Sequence, residues 1–193
     1  MRRWTIVSAL CLWAVTPAWS DEPTTPFIPA EVEWHSFDDG VEAAQTQGKH
    51  IMVDVYTDWC GWCKKLEKET YADYAVREVL SESYVSVKLK GDSGKKLKVK
   101  GQPSQYGSQT LLQFVATEEA GISEQGLTRG VLKITGYPTI LFLSPDGRMI
   151  TKLPGFHDAK SFVNIINYIK DDLYEVMTFD DYLKSLEQAK DES

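Results

Sequence analysis

The sequence predicts an α/β fold in which a central mixed β-sheet is flanked by helices. Strand-like and helix-like segments alternate in the first half, in the order strand, helix, strand, helix, strand, which is typical of parallel strands joined by helices. A hairpin-like segment at residues 139–153 then adds antiparallel strands. The chain has 193 residues, of which 42% are hydrophobic and 25% charged. This is the composition of one ordinary globular domain.

A leader and a tether precede the first element. Residues 1–20 combine a basic start, an apolar middle and the small residues Ala18 and Ser20, which predicts a signal peptide cleaved near Ser20 and a periplasmic or secreted protein. The apolar stretch is shorter than the ~20 residues of a transmembrane helix, so no stable membrane insertion is expected. An uncleaved anchor and lipidation of Cys11 are weaker alternatives. Residues 21–31 contain three prolines and predict an extended tether.

The first predicted elements follow in order. Residues 32–37 alternate as a strand does, and Asp38 and Asp39 are expected to cap a short helix that stops at Gly48. Residues 50–57 are a nearly continuous apolar and β-branched run, which predicts a central strand buried on both faces. Apolar side chains at helical spacing then predict one helix over residues 63–84, and residues 84–90 form the next strand.

The second half predicts a hairpin, two helices and an insertion. The hairpin consists of residues 139–143 and 148–153 around the turn sequence SPDG. The following helix has a stripe of apolar side chains at helical spacing, Phe162, Ile165, Ile166 and Ile169. Thr178 is expected to cap a C-terminal helix, so that residues 177–193 are a helix and tail.

Residues 91–130 are predicted to be an insertion with structure of its own, because forty structureless residues are improbable inside a compact domain. Apolar residues at helical spacing predict a helix from Ser108 to Gly121. The basic run at residues 90–101 is interpreted as a solvated loop or hairpin. The net charge of the chain is -7, which argues against nucleic acid or an anionic membrane as the main partner.

Four functions can be weighed for the pair Cys60 and Cys63 in the sequence WCGWC. Haem attachment needs a histidine after the second cysteine, where Lys64 stands. Structural zinc needs four ligands, and only this pair and three scattered histidines are available. A structural disulfide and Cu(I) binding by the two thiolates remain as alternatives. A working redox pair fits best, because Cys60 lies at a strand-to-helix junction where the helix dipole favours its thiolate.

Asp54 is the second candidate for chemistry. It stands six residues before Cys60, within the predicted buried strand, where an acidic side chain is costly unless it is paired or functional. One interpretation is a carboxylate that faces solvent at a strand end. The other is a desolvated carboxylate with a raised pKa that accepts the proton of Cys63.

The segments VDVYTDWCGWCKK and ITGYPTILF together resemble the thioredoxin family, in its secreted, insertion-bearing branch. The resemblance covers roughly residues 32–176 and implies a thioredoxin-like fold with the insertion before a cis-proline loop. It implies that Asp54 is the buried acid of the family, Cys60 its nucleophile and Cys63 its resolving cysteine. Lys88 corresponds to the lysine near the buried acid.

The resemblance also implies a substrate-binding surface around the cysteines, formed by Trp59, Gly61, Trp62, Tyr137 and Pro138. The peptide bond between the last two is implied to be cis. The sequence departs from the family at Trp62, where cytosolic thioredoxins have proline, and at Tyr56, which replaces a tryptophan. Trp62 is interpreted either as local packing or as a platform for substrate.

The function implied is thiol–disulfide exchange without a cofactor or metal. The sequence favours a reductase of disulfides in exported proteins, because Gly61 and Trp62 bring no positive charge between the cysteines. The implied partners are protein disulfide or dithiol clients and a transmembrane thiol reductase as electron donor. An oxidase or isomerase is the alternative, as is a non-enzymatic chaperone or Cu(I)-binding module.

Overall fold

The computed structural model describes residues 31–98 and 121–191. The predicted signal peptide, nearly all of the tether and the predicted insertion helix up to residue 120 lie outside the described residues. Within them the strands and α-helices occur in the order β1 (Trp34–His35), α1 (Phe37–Gln47), β2 (His50–Tyr56), α2 (Gly61–Leu66), α3 (Tyr74–Ser83), β3 (Tyr84–Lys90), β4 (Thr139–Leu143), β5 (Met149–Pro154), α4 (Ala159–Lys170) and α5 (Phe179–Asp191).

The strands form one mixed sheet in the order β1-β3-β2-β4-β5. β1, β3 and β2 run parallel to one another, whereas β4 is antiparallel to both β2 and β5. β2 therefore lies at the centre, which agrees with its continuous apolar sequence. The predicted mixed sheet flanked by helices is confirmed.

An apolar core lies on each face of the sheet. α1 packs over one face, against side chains that include Val53 and Val87. Residues of α2, α3 and α4 pack on the other face with Met52 and Phe142. Because successive side chains of a strand point to opposite faces, Asp54 points to the same face as Met52, beneath these three helices.

The start of the domain differs from the prediction in two details. β1 is only two residues long, and α1 already begins at Phe37. Ser36 caps this helix, since its hydroxyl oxygen accepts a hydrogen bond from the Asp39 amide at 3.3 Å. Asp38 and Asp39 instead occupy the first turn, where acidic side chains favour the helix dipole. The helix ends before Gly48 as predicted, at a left-handed φ of 65°.

The single helix predicted over residues 63–84 is wrong, because the segment is divided into three parts. α2 continues into a π-helical turn, Glu67–Tyr71, and α3 begins only at Tyr74. Asp73 starts the new helix, because its side chain accepts hydrogen bonds from the Ala75 and Val76 amides. Apolar spacing runs through both helices, so the capping aspartate was the available signal of the break.

The two described ends of the insertion are anchored in the domain. Lys96 and Ser123 form an isolated antiparallel bridge. Leu97 before the undescribed residues, and Leu127 and Leu132 after them, are buried in the core beneath α1. The described residues at both ends of the predicted insertion thus belong to the fold.

The C-terminal part follows the prediction closely. β4 has the predicted bounds, and β5 is shifted by one residue. α4 ends at Lys170 and is followed by a short 3-10 turn, Leu173–Glu175. Thr178 precedes α5 and accepts a hydrogen bond from the Asp181 amide at 3.2 Å. Across residues 31–98 and 121–191, no helix is long and apolar enough to cross a membrane.

Candidate active site

Cys60 and Cys63 form a disulfide at the start of α2. A turn after β2 leads directly to Cys60, whose amide donates to the Thr57 carbonyl at 3.2 Å. Cys60 is the N-cap residue of α2, and its sulfur accepts a hydrogen bond from the Cys63 amide at 3.0 Å. Both cysteines are nearly buried, with 4% and 3% of their surface exposed. Little of either cysteine is therefore exposed, and Cys60 lies at a helix start, where amides favour a thiolate.

Asp54 lies beneath this helix and is completely buried. The interpretation of Asp54 as a solvent-facing carboxylate is therefore wrong. Its Oδ2 atom accepts a hydrogen bond from the Lys88 ammonium at 2.6 Å, while Oδ1 has no partner among the described residues. Burial raises the pKa of Asp54 above its ordinary value, although Lys88 opposes this shift. A buried carboxyl of this kind can hold and release a proton.

Lys88 connects Asp54 to the protein surface. Its ammonium also donates to Glu67 Oε1 at 2.5 Å, and the Glu67 side chain is 51% exposed. The ammonium lies 4.4 Å from the ring centroid of Trp34 and 5.1 Å from that of Tyr56, within the range of cation–π attraction. Burial alone would lower the pKa of Lys88, but the two carboxylates outweigh burial and raise it. Lys88 is therefore held as a cation between a buried and a half-exposed carboxylate.

One aromatic wall beside the disulfide consists of Trp59 and Tyr137, whose rings meet edge to face at 5.7 Å. Trp59 is 68% exposed, and its indole donates to Asp92 Oδ2 at 3.1 Å. Tyr137 donates its hydroxyl to the Gly91 carbonyl at 3.2 Å. A Cβ atom at Gly91 would overlap the Tyr137 ring. The close approach of that ring thus requires glycine, and it connects the end of β3 to the wall.

Trp62 forms a second aromatic surface with Phe156. The ring centroids are 5.7 Å apart, and the Lys65 ammonium lies 5.0 Å from one and 4.9 Å from the other. Trp62 remains 57% exposed despite these contacts. It both packs locally and presents an apolar face. Between the cysteines, Gly61 has open space where a side chain would be, because no atom lies within 4 Å of the position that a Cβ would take.

Pro138 follows a cis peptide bond and is buried at the start of β4. Its carbonyl accepts a hydrogen bond from the Gly155 amide at 2.8 Å. Beside it lies a cleft of about 390 Å³ that is lined by residues 133–139 and by Lys152, Pro154 and Gly155. Among the described residues, the backbone N–H and C=O of Tyr137 have no hydrogen-bond partner.

Three residues of the site were not singled out in the sequence. Glu67 stands four residues after Cys63, one helical turn further, and this spacing was the available signal. Gly91 ends a predicted strand, where a glycine often marks a close approach. Phe156 carried no recognisable signal, because its contact with Trp62 joins residues far apart in the sequence.

A larger cavity, about 680 Å³, lies elsewhere, between β5, α4 and α5. None of its lining residues belongs to the cysteine site. In the part of the chain that the structure describes, no group of three or more His, Cys, Asp or Glu side chains could hold a metal ion. The site is thus located by its cysteines and not by the size of a cavity.

Comparisons with known proteins agree with this geometry. The family model described as a thioredoxin-like domain matches residues 37–170, so the chain belongs to the thioredoxin-like family. Fold, family and cysteine pair together define a thioredoxin-like domain that carries a disulfide at the start of α2. A thioredoxin-fold protein from Helicobacter pylori has a TM-score of 0.57 at 16% identity, covering 84% of this chain and 88% of that one. This likeness shows the fold.

Two relatives are thiol:disulfide interchange proteins DsbD. That of Actinobacillus pleuropneumoniae serotype 5b (strain L20) is 29% identical over 126 residues, which are 64% of this chain and 17% of the relative. That of Colwellia psychrerythraea (strain 34H / ATCC BAA-681) is 33% identical over 127 residues, 65% and 16% of the two chains. The chain therefore spans about a sixth of the length of these relatives.

Proposed function

We propose that this protein reduces disulfide bonds of exported proteins through the Cys60–Cys63 pair. One observation carries the proposal: the disulfide at the start of α2 lies on the sheet face to which the buried Asp54 points. A purely structural disulfide needs no buried proton acceptor beneath it, and the loop it closes is too small to constrain the unfolded chain much.

The reaction begins with the reduced pair. The Cys60 thiolate attacks one sulfur of a client disulfide, forms a bond to it and releases the other client sulfur as a thiolate. Asp54 accepts the proton of Cys63, whose thiolate then attacks the Cys60 sulfur. The bond between Cys60 and the client sulfur breaks, and the Cys60–Cys63 disulfide forms. The two client thiolates become thiols by taking one proton from Asp54 and one from water. Two electrons have passed from protein to client.

The client segment lies extended beside Tyr137 and pairs with its free backbone groups as an added strand. Trp59 and Tyr137 flank the segment on one side, and Trp62 presents its exposed ring. Gly61 leaves the approach to Cys60 open, and Pro138 faces the sulfur. Lys88 keeps Asp54 paired while the proton is transferred.

Reduction is the favoured direction because Gly61 and Trp62 offer no charge that would stabilise a thiolate between the cysteines. The positive charges of Lys64 and Lys65, directly after Cys63, weakly favour the oxidising direction instead. A reductant in an oxidising compartment needs an electron donor, and the similarity to part of the DsbD proteins supports a membrane thiol reductase in that role. Export follows from the predicted signal peptide of residues 1–20.

The reduction potential of the pair tests the direction. Equilibration with glutathione and dithiothreitol buffers is expected to give about -230 mV or below, as in thioredoxin-like reductants. A value of about -120 to -180 mV would identify an oxidase or isomerase instead. If the protein binds one Cu(I) per cysteine pair and shows no disulfide turnover, the alternative of a non-enzymatic Cu(I)-binding module is favoured.

A trapping experiment tests the roles of the two cysteines. Cys63→Ala should accumulate a mixed disulfide with an oxidised model protein, because nothing remains to resolve it. Cys60→Ala is the matched control and should trap nothing, because Cys63 lies inside α2, whereas Cys60 is the N-cap residue at the helix start. Equal adduct formation by both variants would contradict the assignment of Cys60 as nucleophile.

A further inference from the structure

We propose that Lys133 and Lys152 select clients that carry an acidic side chain near the reacting cysteine. The proposal rests on the proposed function, because it names the chemistry of the segment that lies beside Tyr137. The two lysines line the cleft of about 390 Å³ next to Pro138. They would thus act as specificity determinants outside the reacting groups.

The cleft is cationic in an acidic protein. The chain carries a net charge of -7, yet none of the described residues that line this cleft is acidic. By contrast, the cleft beside Lys88 also contains Glu31 and Glu67. A ligand group that enters the cleft near Pro138 therefore meets two positive charges without an opposing carboxylate from its walls.

Both lysines retain capacity to bind an anion. Lys133 is exposed, and its ammonium has no ion-pair partner within residues 31–98 and 121–191. Its backbone is left-handed, with φ at 53°, a conformation that is uncommon for a residue other than glycine. Lys152 donates to the Leu132 carbonyl at 3.1 Å, which uses one of the three N–H bonds of its ammonium. This bond also holds Lys152 beside the backbone that precedes Lys133.

The occupant is an extended polypeptide, because the same cleft exposes unpaired backbone. The N–H and C=O of Tyr137 have no partner among the described residues, and such groups bind an added strand. A strand places alternate side chains on one side. One such side chain of the client lies over the cleft while its cysteine meets Cys60, and charge complementarity selects aspartate or glutamate there.

The test uses the Cys63→Ala protein and synthetic peptides whose single cysteine is activated as a neutral 2-pyridyl disulfide. The Cys60 thiolate attacks the sulfur of the peptide cysteine and forms a disulfide with it. The S–S bond to the pyridyl group breaks, and pyridine-2-thione is released after protonation. Peptides carry Glu, Gln or Lys two to four residues on either side of the cysteine. Reaction with 2,2′-dithiodipyridine corrects for the intrinsic reactivity of Cys60.

We expect the best Glu peptide to react about three to ten times faster than its Lys counterpart, as two exposed ion pairs allow. The preference should shrink in about 0.5 M salt, because screening weakens exposed charge pairs. Lys133→Glu should abolish or invert the preference, and Lys152→Gln should reduce it. Lys49→Glu is the matched control: it changes the net charge equally but precedes β2, at the opposite end of the sheet from the cysteines.

Equal rates for Glu and Lys peptides would overturn the proposal while leaving disulfide exchange intact. A preference that survives Lys133→Glu unchanged, or that Lys49→Glu removes equally, would also overturn it. Failure of Cys60 to react with any activated peptide would instead contradict the proposed function itself, and this inference with it.

Discussion

Asp54, Lys88 and Glu67 form a chain of charges that begins in the core and ends at the surface. Asp54, the buried end, is protonated more readily than an ordinary aspartate because burial raises its pKa. The outer end is half exposed to water. In the proposed reaction, the proton of Cys63 is held at Asp54, while Lys88 keeps the carboxylate form from being left unpaired.

The stability of the oxidised protein is expected to fall as pH rises, owing to Asp54. Its pKa is higher in the folded protein than in the unfolded chain, so the folded state binds the extra proton. The stabilising contribution is present at low pH and is lost as pH rises from about 4 through the raised pKa. Asp54→Asn should therefore increase the free energy of unfolding at about pH 8 and remove this part of its pH dependence.

The same variant should slow the attack of Cys63 on a mixed disulfide by roughly a hundredfold, as loss of a general base does. Denaturant unfolding across pH and rapid-mixing kinetics measure the two effects. Asp58→Asn is the control, since that carboxylate is 70% exposed. If Asp54→Asn is less stable than the wild type at every pH, the ionised Asp54 side chain does not destabilise the folded protein, and the prediction is wrong.

Glu67 is expected to set the pH at which the resolving step operates. Burial is the main cause of the raised pKa of Asp54, and the negative charge of Glu67 raises it further. Glu67→Gln should therefore shift the pH profile of the resolving step to lower pH. Glu69→Gln removes a neighbouring carboxylate that pairs with Lys65 at 3.7 Å and should leave the profile in place. A shift to higher pH, or equal shifts in both variants, would exclude this role.

At the scale of elements, the site depends on where strands end and helices begin. β2 ends at Tyr56, and α2 starts four residues after Thr57, which brings Cys60 to the carboxyl end of the central strand. β3 ends next to Gly91, and β4 begins after Pro138. The disulfide, Gly91 and Pro138 therefore lie at the ends of three neighbouring strands, on the same edge of the sheet.

Gly91→Ala should disturb the aromatic wall from the end of β3. The added methyl group would overlap the Tyr137 ring, so that the ring must move, at a cost of about 1–3 kcal/mol in the free energy of unfolding. Disulfide exchange should slow as well, because Tyr137 packs against Trp59, the residue before Cys60. Thermal unfolding and exchange rates measure both effects.

Gly94→Ala is the matched control on the same connection, where no atom lies within 4 Å of a Cβ position. It should leave stability and rate nearly unchanged. If the two alanine variants behave alike, contact with Tyr137 is not what requires glycine at position 91.

At the scale of the whole molecule, the described residues are most buried in the central strands, and burial decreases toward the C-terminal helix. β2 and β4 contribute side chains that are almost all buried. α5 has no buried residue, and its ring contacts, such as Phe179 on Tyr168 at 5.2 Å, lie near the surface. The redox site is thus built on the part of the fold with the most buried contacts.

Native-state hydrogen exchange should reproduce this gradient. Amides of β2 and β4 are expected to exchange only through global unfolding, whereas those of α5 exchange through local opening, at rates higher by orders of magnitude. α4, with Phe162, Ile166 and Ile169 buried, is the internal reference. Equal protection of α5 and α4 would show that the C-terminal helix belongs to the cooperative core.

The sequence by itself determined the order of the elements, the central strand and the cysteine pair. These are local signals: continuous apolar runs, helical spacing, and two cysteines at a strand-to-helix junction. The break between α2 and α3 was missed because apolar spacing continues across it. Ser36 was passed over as a cap because two aspartates stand two and three residues after it, in the first turn.

Only the tertiary structure decided the contacts between distant segments. The pairing of β2 with β3 places Asp54 opposite Lys88, and helix geometry then brings Glu67 to the same ammonium. Tyr137 packs on Gly91, and Phe156 packs on Trp62. These contacts also join residues far apart in the sequence, so the spacing of neighbouring residues does not predict them. A pKa is likewise set by burial and by neighbouring charges, both of which exist only in the folded chain.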